Sequence, residues 1–279
     1  MRVIAVFNHK GGVGKTTTVA NLGAGLARMG KRVLLIDADP QACLTVHFGI
    51  RPEESDTTIY DVLCQGRPMQ KSVLDLEGLR LVPSTLDLAG AELELATAMG
   101  RERLLRDALD AYLCENEHDY VIMDCPPSLG LLTVNALTAA DEVFVPLQTE
   151  FLALRGVGKL VEMVQKVRMR LNPRVAITGI LPTLSRTGTL LAREVMDEIQ
   201  RHFGEKVFKT RIRNNVRLAE APSHGKSIFA YDPLAAGAKD YLALAEEVDA
   251  MPIQGRKRAA PEPLIEIDDL MAPVEPPTA

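Results

Sequence analysis

Short apolar runs punctuate the chain at Val3 to Phe7, Val33 to Ile36, Tyr120 to Met123, Val143 to Val145 and Ile177 to Leu181, each long enough for one strand. Continuous β-rich runs of this length suit parallel strands buried on both faces. Between the first two, Val19, Leu22, Gly23 and Leu26 recur at helical spacing, and Gly30 stands where a helix closes in the left-handed region. The chain therefore opens with a βαβ unit. Further helices are expected over Arg101 to Leu113, Leu152 to Leu171, Leu191 to Phe203 and Ala235 to Ala250. The alternation predicts a three-layer α/β fold in which helices flank a mostly parallel central sheet.

Composition narrows this picture. A chain of 279 residues, 47% hydrophobic and 25% charged, fits one large domain with a filled core, expected over residues 1–255. At Arg256-Lys257-Arg258 the character changes, and five prolines and five acidic residues crowd into the last 24 positions, so residues 256–279 are expected to be a disordered Pro-rich acidic tail. Leu264, Ile267 and Met271 fall at roughly helical spacing within it. The four cysteines are far apart with no CxxC pairing, the N-terminus carries no export pattern, and no apolar run approaches the roughly 18 residues a membrane span needs. A reduced cytoplasmic setting without a membrane is the expectation. The net charge of -5 argues against a general nucleic-acid coat and leaves room for local basic patches.

The chemistry concentrates at strand ends. His9-Lys10-Gly11-Gly12-Val13-Gly14-Lys15-Thr16-Thr17 follows the first strand and opens the first helix, the place for a phosphate cradle. Glycines let successive N–H groups curl around phosphate oxygens, and the helix N-terminus adds partial positive charge. Lys15 would reach the β- and γ-phosphates, and the Thr16 hydroxyl would bind Mg²⁺. The ordinary G-x-x-x-x-G-K-[ST] spacing needs a glycine where His9 stands; the loop carries a second lysine, Lys10, instead. Asp37-Ala38-Asp39-Pro40-Gln41 follows the second strand, where two carboxylates serve metal and water, or where Asp39 caps a helix beginning at Pro40. The strand Tyr120 to Met123 ends in Asp124, placed to hold Mg²⁺ through water, and Pro126 and Pro127 shape a second loop behind it. His118, His202 and His224 have no metal-ligand spacing, and His9 reads as a packed loop residue.

The stretch KGGVGKTT resembles the deviant Walker A loop of the ParA/MinD family of P-loop NTPases, and Asn215 to Lys226, NVRLAEAPSHGK, is similar to a stretch of the Soj-type partitioning branch. The resemblance covers nearly all of Met1 to Ala250. It implies an ATPase cycling between ATP and ADP with Mg²⁺, in which Lys10, Lys15 and Asp39 are catalytic. Lys10 would cross an ATP-sandwich homodimer to the partner's phosphates, and Asp39 would orient the attacking water. Lys10, Gly11, Gly12, Val13, Gly14, Lys15, Thr16, Thr17 and the base-framing Asn215 would bind nucleotide, while Thr16, Asp37 and Asp124 would serve the metal. Arg213 occupies the position of a family proline beside adenine.

The same resemblance implies non-specific binding of double-stranded DNA by Arg217, Lys226, Arg213 and Arg186, hydrolysis stimulated by a ParB/Spo0J-type protein, and a nucleoid location. Between Arg201 and Lys226 seven Lys or Arg stand against two Glu, and Lys166, Arg168, Arg170 and Arg174 form a second basic run; either is otherwise a solvated face. Gly188 stands where Soj relatives carry an arginine, for which Arg186 would substitute from a shifted place. Three other readings share the loop. A positioning ATPase for a protein cluster or organelle has the same core. A MinD-like membrane regulator needs a basic amphipathic tail, which this acidic tail is not. A metabolic P-loop enzyme needs a substrate pocket with its own polar set.

Overall fold

The computed structural model describes residues 1–76, 78–148, 153–184 and 190–252. Among the described residues seven strands make one sheet: β1 (Arg2–Val6), β2 (Val33–Asp37), β3 (Leu74–Leu76), β4 (Leu79–Val82), β5 (Tyr120–Asp124), β6 (Glu142–Gln148) and β7 (Ala176–Thr183). Their order is β3-β4-β2-β5-β1-β6-β7. All pairings are parallel except that of β3 with β4. The helices are α1 (Lys15–Arg28), α2 (Cys43–His47), α3 (Ile59–Gln65), α4 (Ala91–Glu94), α5 (Leu104–Leu113), α6 (Leu131–Ala139), α7 (Ala153–Arg170), α8 (Leu190–Phe203), α9 (Val216–Glu220), α10 (Ile228–Tyr231) and α11 (Ala236–Ala250).

Alternation along each strand produces the three layers, because successive side chains leave a strand on opposite faces. Val3 and Ala5 of β1 join Leu34, Ile36, Val121 and Met123 in a core closed by side chains of α3, α5, α6, α7 and α8. Ile4 and Val6 join Leu35, Ile122 and Phe144 in a second core, closed by α1, α2 and α9 to α11. Gly23 lets α1 lie close on β2: a Cβ there would sit 2.7 Å from Leu35 Cδ2. Gly30, at φ 81, closes the turn after α1.

The architecture agrees with the fold class expected from the sequence, with local differences. Phe7 leaves β1 and instead donates its N–H to the Phe144 carbonyl. The β3–β4 hairpin is an antiparallel edge without a continuous apolar run, because its apolar positions alternate: Leu74 and Leu76, then Leu79 and Leu81. Helix α5 begins at Leu104, after a turn over residues 101–103. Pro40 does not open a helix; α2 starts at Cys43, entered through Ala42 in the left-handed region at φ 51. Residues 253–279, which include the whole of the expected tail, lie outside the described residues, as do Arg186 and Gly188.

Candidate nucleotide and metal site

The carboxyl ends of the central strands meet at the loop between β1 and α1. Gly12 and Gly14 take φ 73 and 87, where a side chain strains the backbone, and a Cβ on Gly11, Gly12 or Gly14 would meet nothing within 4 Å. The loop is thus an open concave turn whose curvature needs glycine. Gly14 precedes α1 and accepts from Thr18 N–H at 2.9 Å, which leaves the first N–H groups of α1 facing the concavity. Val13 is buried, and its carbonyl is fixed by the Thr183 hydroxyl at 2.9 Å.

Lys15 is buried, with Nζ 3.3 Å from the Lys10 carbonyl, so its charge lies inside the loop. The Thr16 hydroxyl donates to Asp124 Oδ2 at 2.6 Å. Thr17 is half-buried and its carbonyl accepts from Asn21. Lys10 donates from Nζ to Gln148 Oε1 at 2.9 Å, Gln148 donates onward to the Gly12 carbonyl at 3.1 Å, and Asn8 accepts from Lys10 N–H. The end of β6 therefore braces the loop through side chains that no sequence motif announced.

Asp37 and Asp124 are directly paired in the β2–β5 register, and both are fully buried. Burial pushes both carboxyls above the ordinary carboxylate range, and for Asp124 the neighbouring Asp37 charge adds to it. Asp37 is partly compensated: Oδ2 accepts from Thr45 N–H at 2.8 Å and Thr45 Oγ1 at 2.7 Å, and Oδ1 accepts from Asp39 N–H. Asp124 Oδ1 is buried with no hydrogen-bond partner among the described residues. Asp39 is buried, and its Oδ1 takes the Gln41 N–H at 2.9 Å, so it caps a loop turn rather than a helix at Pro40. His9 has its imidazole pKa held down by burial and by Lys159 and Lys15.

This donor set suits Mg²⁺. Among the described residues no three or more His, Cys, Asp or Glu side chains form a protein-only metal cage. Mg²⁺ keeps waters and takes one or two carboxylates with phosphate oxygens, so one hydroxyl and the orphaned oxygen of Asp124 are the expected protein share.

A family model described as an AAA domain matches residues 1–177. The chromosome partitioning protein ParA of Caulobacter vibrioides is 48% identical over 250 residues, covering 89% of this chain and 94% of that one. The chain belongs to the ParA/Soj family of ATPases. The chromosome-partitioning ATPase Soj of Thermus thermophilus is 50% identical over 250 residues, covering 90% of this chain and 96% of its own. Among solved structures, a protein described as cobyrinic acid a,c-diamide synthase from Mycobacterium smegmatis, with a bound ATP analogue and magnesium, matches with 39% identity and a TM-score of 0.77. That match covers 88% of this chain and 93% of that one.

Of the residues that the ParA/Soj resemblance implicates in DNA and base contacts, Arg213, Asn215, Arg217 and Lys226 lie in or near α9, and Arg186 lies outside the described residues. Asn215 caps α9, its side-chain oxygen accepting from Arg217 N–H at 2.9 Å. Arg213 gives its guanidinium to Asp240 of α11, with Nη2 2.6 Å from Oδ1. Arg217 pairs with Glu220 at 2.8 Å and lies 3.5 Å from Asp232, yet stays half exposed. Lys226 is exposed. Acidic residues distant in sequence thus answer part of a charge surplus that is read along the chain alone. Among the described residues no helix is long and apolar enough to cross a membrane.

Proposed function

We propose that this chain is a Mg²⁺-dependent ATP hydrolase that dimerises on ATP, binds double-stranded DNA without sequence preference, and releases it after hydrolysis stimulated by a ParB/Spo0J-type partner, so that a chromosome or plasmid is segregated. The observation that carries the reading is the opposition of a two-lysine phosphate loop to the buried Asp37–Asp124 pair. Unpaired buried carboxylates are costly unless a cation meets them in use.

Lys15 and the N–H groups of the loop hold the β- and γ-phosphates, and Thr16 and Asp124 take the metal, with Asp37 behind them. The bound Mg²⁺ would neutralise charge that builds on the phosphate oxygens. Asp39, buried two residues beyond Asp37, orients the attacking water, and its turn with Gln41 fixes where the carboxylate points. Lys10 exchanges its contact with Gln148 for the phosphates bound by the second subunit. Arg217 and Lys226 carry the DNA contact with a contribution from Arg213, and Asn215 lies at the base. Arg186 is proposed to join the DNA contact.

A diamide synthase reading draws on the Mycobacterium smegmatis neighbour, but the chromosome-partitioning relatives are more similar. Beside the Asp39 loop a cleft of about 720 Å³ is lined by Glu53, Asp56, Asp61 and Asp87 with no Lys or Arg, a poor receptor for a carboxylic acid substrate. Binding to random-sequence duplex DNA, measured with ATP and with ADP at two salt concentrations, tests the proposal. ATP-dependent, salt-sensitive binding that Arg217→Ala loses is the expected result; equal absence of binding with either nucleotide sinks it.

A further inference from the structure

Strands β6 and β7 end side by side, with Gln148 opposite Thr183 in their register. Each of these two residues gives one donor to the loop between β1 and α1. Gln148 Nε2 donates to the Gly12 carbonyl at 3.1 Å, and the Thr183 hydroxyl donates to the Val13 carbonyl at 2.9 Å. Two successive peptides of the loop are thus held from outside it by one cross-strand pair. Thr183 is 2% exposed, so its hydroxyl has no solvent to turn to. Lys10 sets the Gln148 amide: its Nζ lies 2.9 Å from Oε1, so the amide oxygen faces the cation and Nε2 faces Gly12. Asn8 ties the start of the loop to the same strand, its Nδ2 donating to the Pro146 carbonyl at 2.8 Å.

A trans peptide is planar, and its C=O and the N–H of the next residue point in opposite directions. No peptide bond among the described residues is cis. A Gly12 carbonyl drawn toward Gln148 therefore turns Val13 N–H away from the strand ends, and a Val13 carbonyl drawn toward Thr183 does the same for Gly14 N–H. Neither N–H meets a backbone acceptor among the described residues. Gly11, Gly12 and Gly14 give the loop its curvature and, with it, the freedom to turn its peptides over. Donors that are to converge on an anion must then be held by something other than the loop itself.

We infer that Gln148 and Thr183 are positioning residues for the nucleotide's phosphates: they fix the Gly12–Val13 and Val13–Gly14 peptides so that both N–H groups donate to phosphate oxygens. The inference rests on the reading of this loop as the phosphate site. Neither side chain need touch the nucleotide, since each acts through the peptide it holds. Both belong to the same subunit as the loop, so the effect is a property of one chain and needs no dimer. Their contribution is preorganisation, because a peptide already turned loses little freedom when phosphate arrives.

The test is titration of the full chain with a fluorescent ADP analogue and Mg²⁺, which keeps hydrolysis and association on ATP out of the measurement, beside the amide resonance of Gly14. Valine labelled at its carbonyl carbon and glycine labelled at nitrogen select Val13–Gly14 and Val157–Gly158, the two Val-Gly pairs of the sequence. In the wild type, Mg²⁺ and ADP are expected to move the Gly14 amide proton downfield. Thr183→Val keeps the shape and loses the donor; it is expected to weaken ADP about 10-fold, the worth of one hydrogen bond, and to diminish that shift. Thr183→Ser, which keeps the hydroxyl, is expected to restore both. Gln148→Met is expected to weaken ADP by a similar factor with the Gly14 shift kept, because it frees the neighbouring peptide, and it carries the test should Thr183→Val fold poorly. Wild-type affinity in either Thr183→Val or Gln148→Met overturns the inference alone, as does a Thr183→Ser protein no better than Thr183→Val. A wild-type Gly14 that does not respond to bound ADP removes the loop from the phosphates, and the inference with it.

Discussion

The two ends of the central sheet treat buried charge in opposite ways. At the amino ends of the strands Arg2 lies against Glu142, with Nε and Nη2 donating to its two carboxylate oxygens at 2.7 and 2.6 Å, and the Thr178 hydroxyl completes the set at 2.9 Å. The Val248 carbonyl takes a further N–H of Arg2. Both side chains are almost wholly buried and every charge is met within the chain. At the carboxyl ends Asp37 and Asp124 stand side by side, fully buried, and one oxygen of Asp124 has no partner. One fold therefore contains a saturated ionic network and an unsaturated one about a strand's length apart. The difference teaches where to look for a ligand: a buried charge answered from within holds the structure together, and one left unanswered is kept for something that arrives.

The largest expected effect would break the saturated end. Arg2→Ala strands the Glu142 carboxylate and should lower folding stability by about 3–5 kcal/mol, measured by chemical denaturation. Replacing both partners with Met and Leu should recover most of that loss, which a purely steric role would not allow. Next comes Lys15→Ala at the unsaturated end, where a buried cation is proposed to meet the phosphates. Loss of a charge-assisted contact of about 3 kcal/mol or more weakens nucleotide at least about 100-fold, read by titration with a fluorescent ATP analogue. Retained affinity in Lys15→Ala would remove the loop from the nucleotide site.

Much of this contrast was legible in the chain. The loop, Asp37, Asp39 and Asp124 are local signals, each a short motif at the end of an apolar run, and the sheet brings them together because parallel strands end on the same side. The partners were not legible. Thr45, Gln148, Asn8 and Thr183 have no motif of their own; each matters through a contact across elements, such as Thr183 to Val13, 170 residues apart. The same limit applies to charge. Seven Lys or Arg between Arg201 and Lys226 read as a patch, but Asp240 and Asp232 reach Arg213 and Arg217 from α11 and from the turn before it. The β3–β4 hairpin is hidden for another reason: its apolar positions alternate at an edge, whereas continuous apolar runs mark strands buried on both faces.

A smaller effect would sharpen the comparison by changing its sign. The Asp124 carboxyl titrates above its unfolded value near 3.8, so its charge costs stability once the pH exceeds that value, and the cost grows as pH rises through the folded pKa. Asp124→Asn keeps an acceptor for Thr16 and removes the charge. It should therefore stabilise the nucleotide-free protein by about 2 kcal/mol at pH 8 and leave stability near pH 4 almost unchanged, while abolishing Mg²⁺-dependent nucleotide binding. Denaturation curves at the two pH values check the sign. Destabilisation at pH 8 would mean that the carboxylate is answered inside the chain after all, and the two ends would be alike.

The smallest expected effect on nucleotide affinity separates the two lysines. Lys10 and Lys15 share one loop, but Lys15 is buried within it while Lys10 reaches outward to Gln148 at the end of β6. A cation placed on the rim adds little to phosphates held by its own loop, so Lys10→Ala should change ATP affinity by no more than about threefold, roughly 0.6 kcal/mol. On the proposed dimer, in which Lys10 crosses to the second subunit, the same substitution should abolish an ATP-dependent doubling of mass. Making it in an Asp39→Ala background, where hydrolysis no longer empties the dimer, removes turnover from the measurement. Asp39→Ala alone should accumulate as a dimer with ATP, and the double variant should remain a monomer that still binds nucleotide. A double variant that dimerises would confine Lys10 to its own subunit and leave Lys15, without any help in trans, as the one lysine of the loop that serves the phosphates.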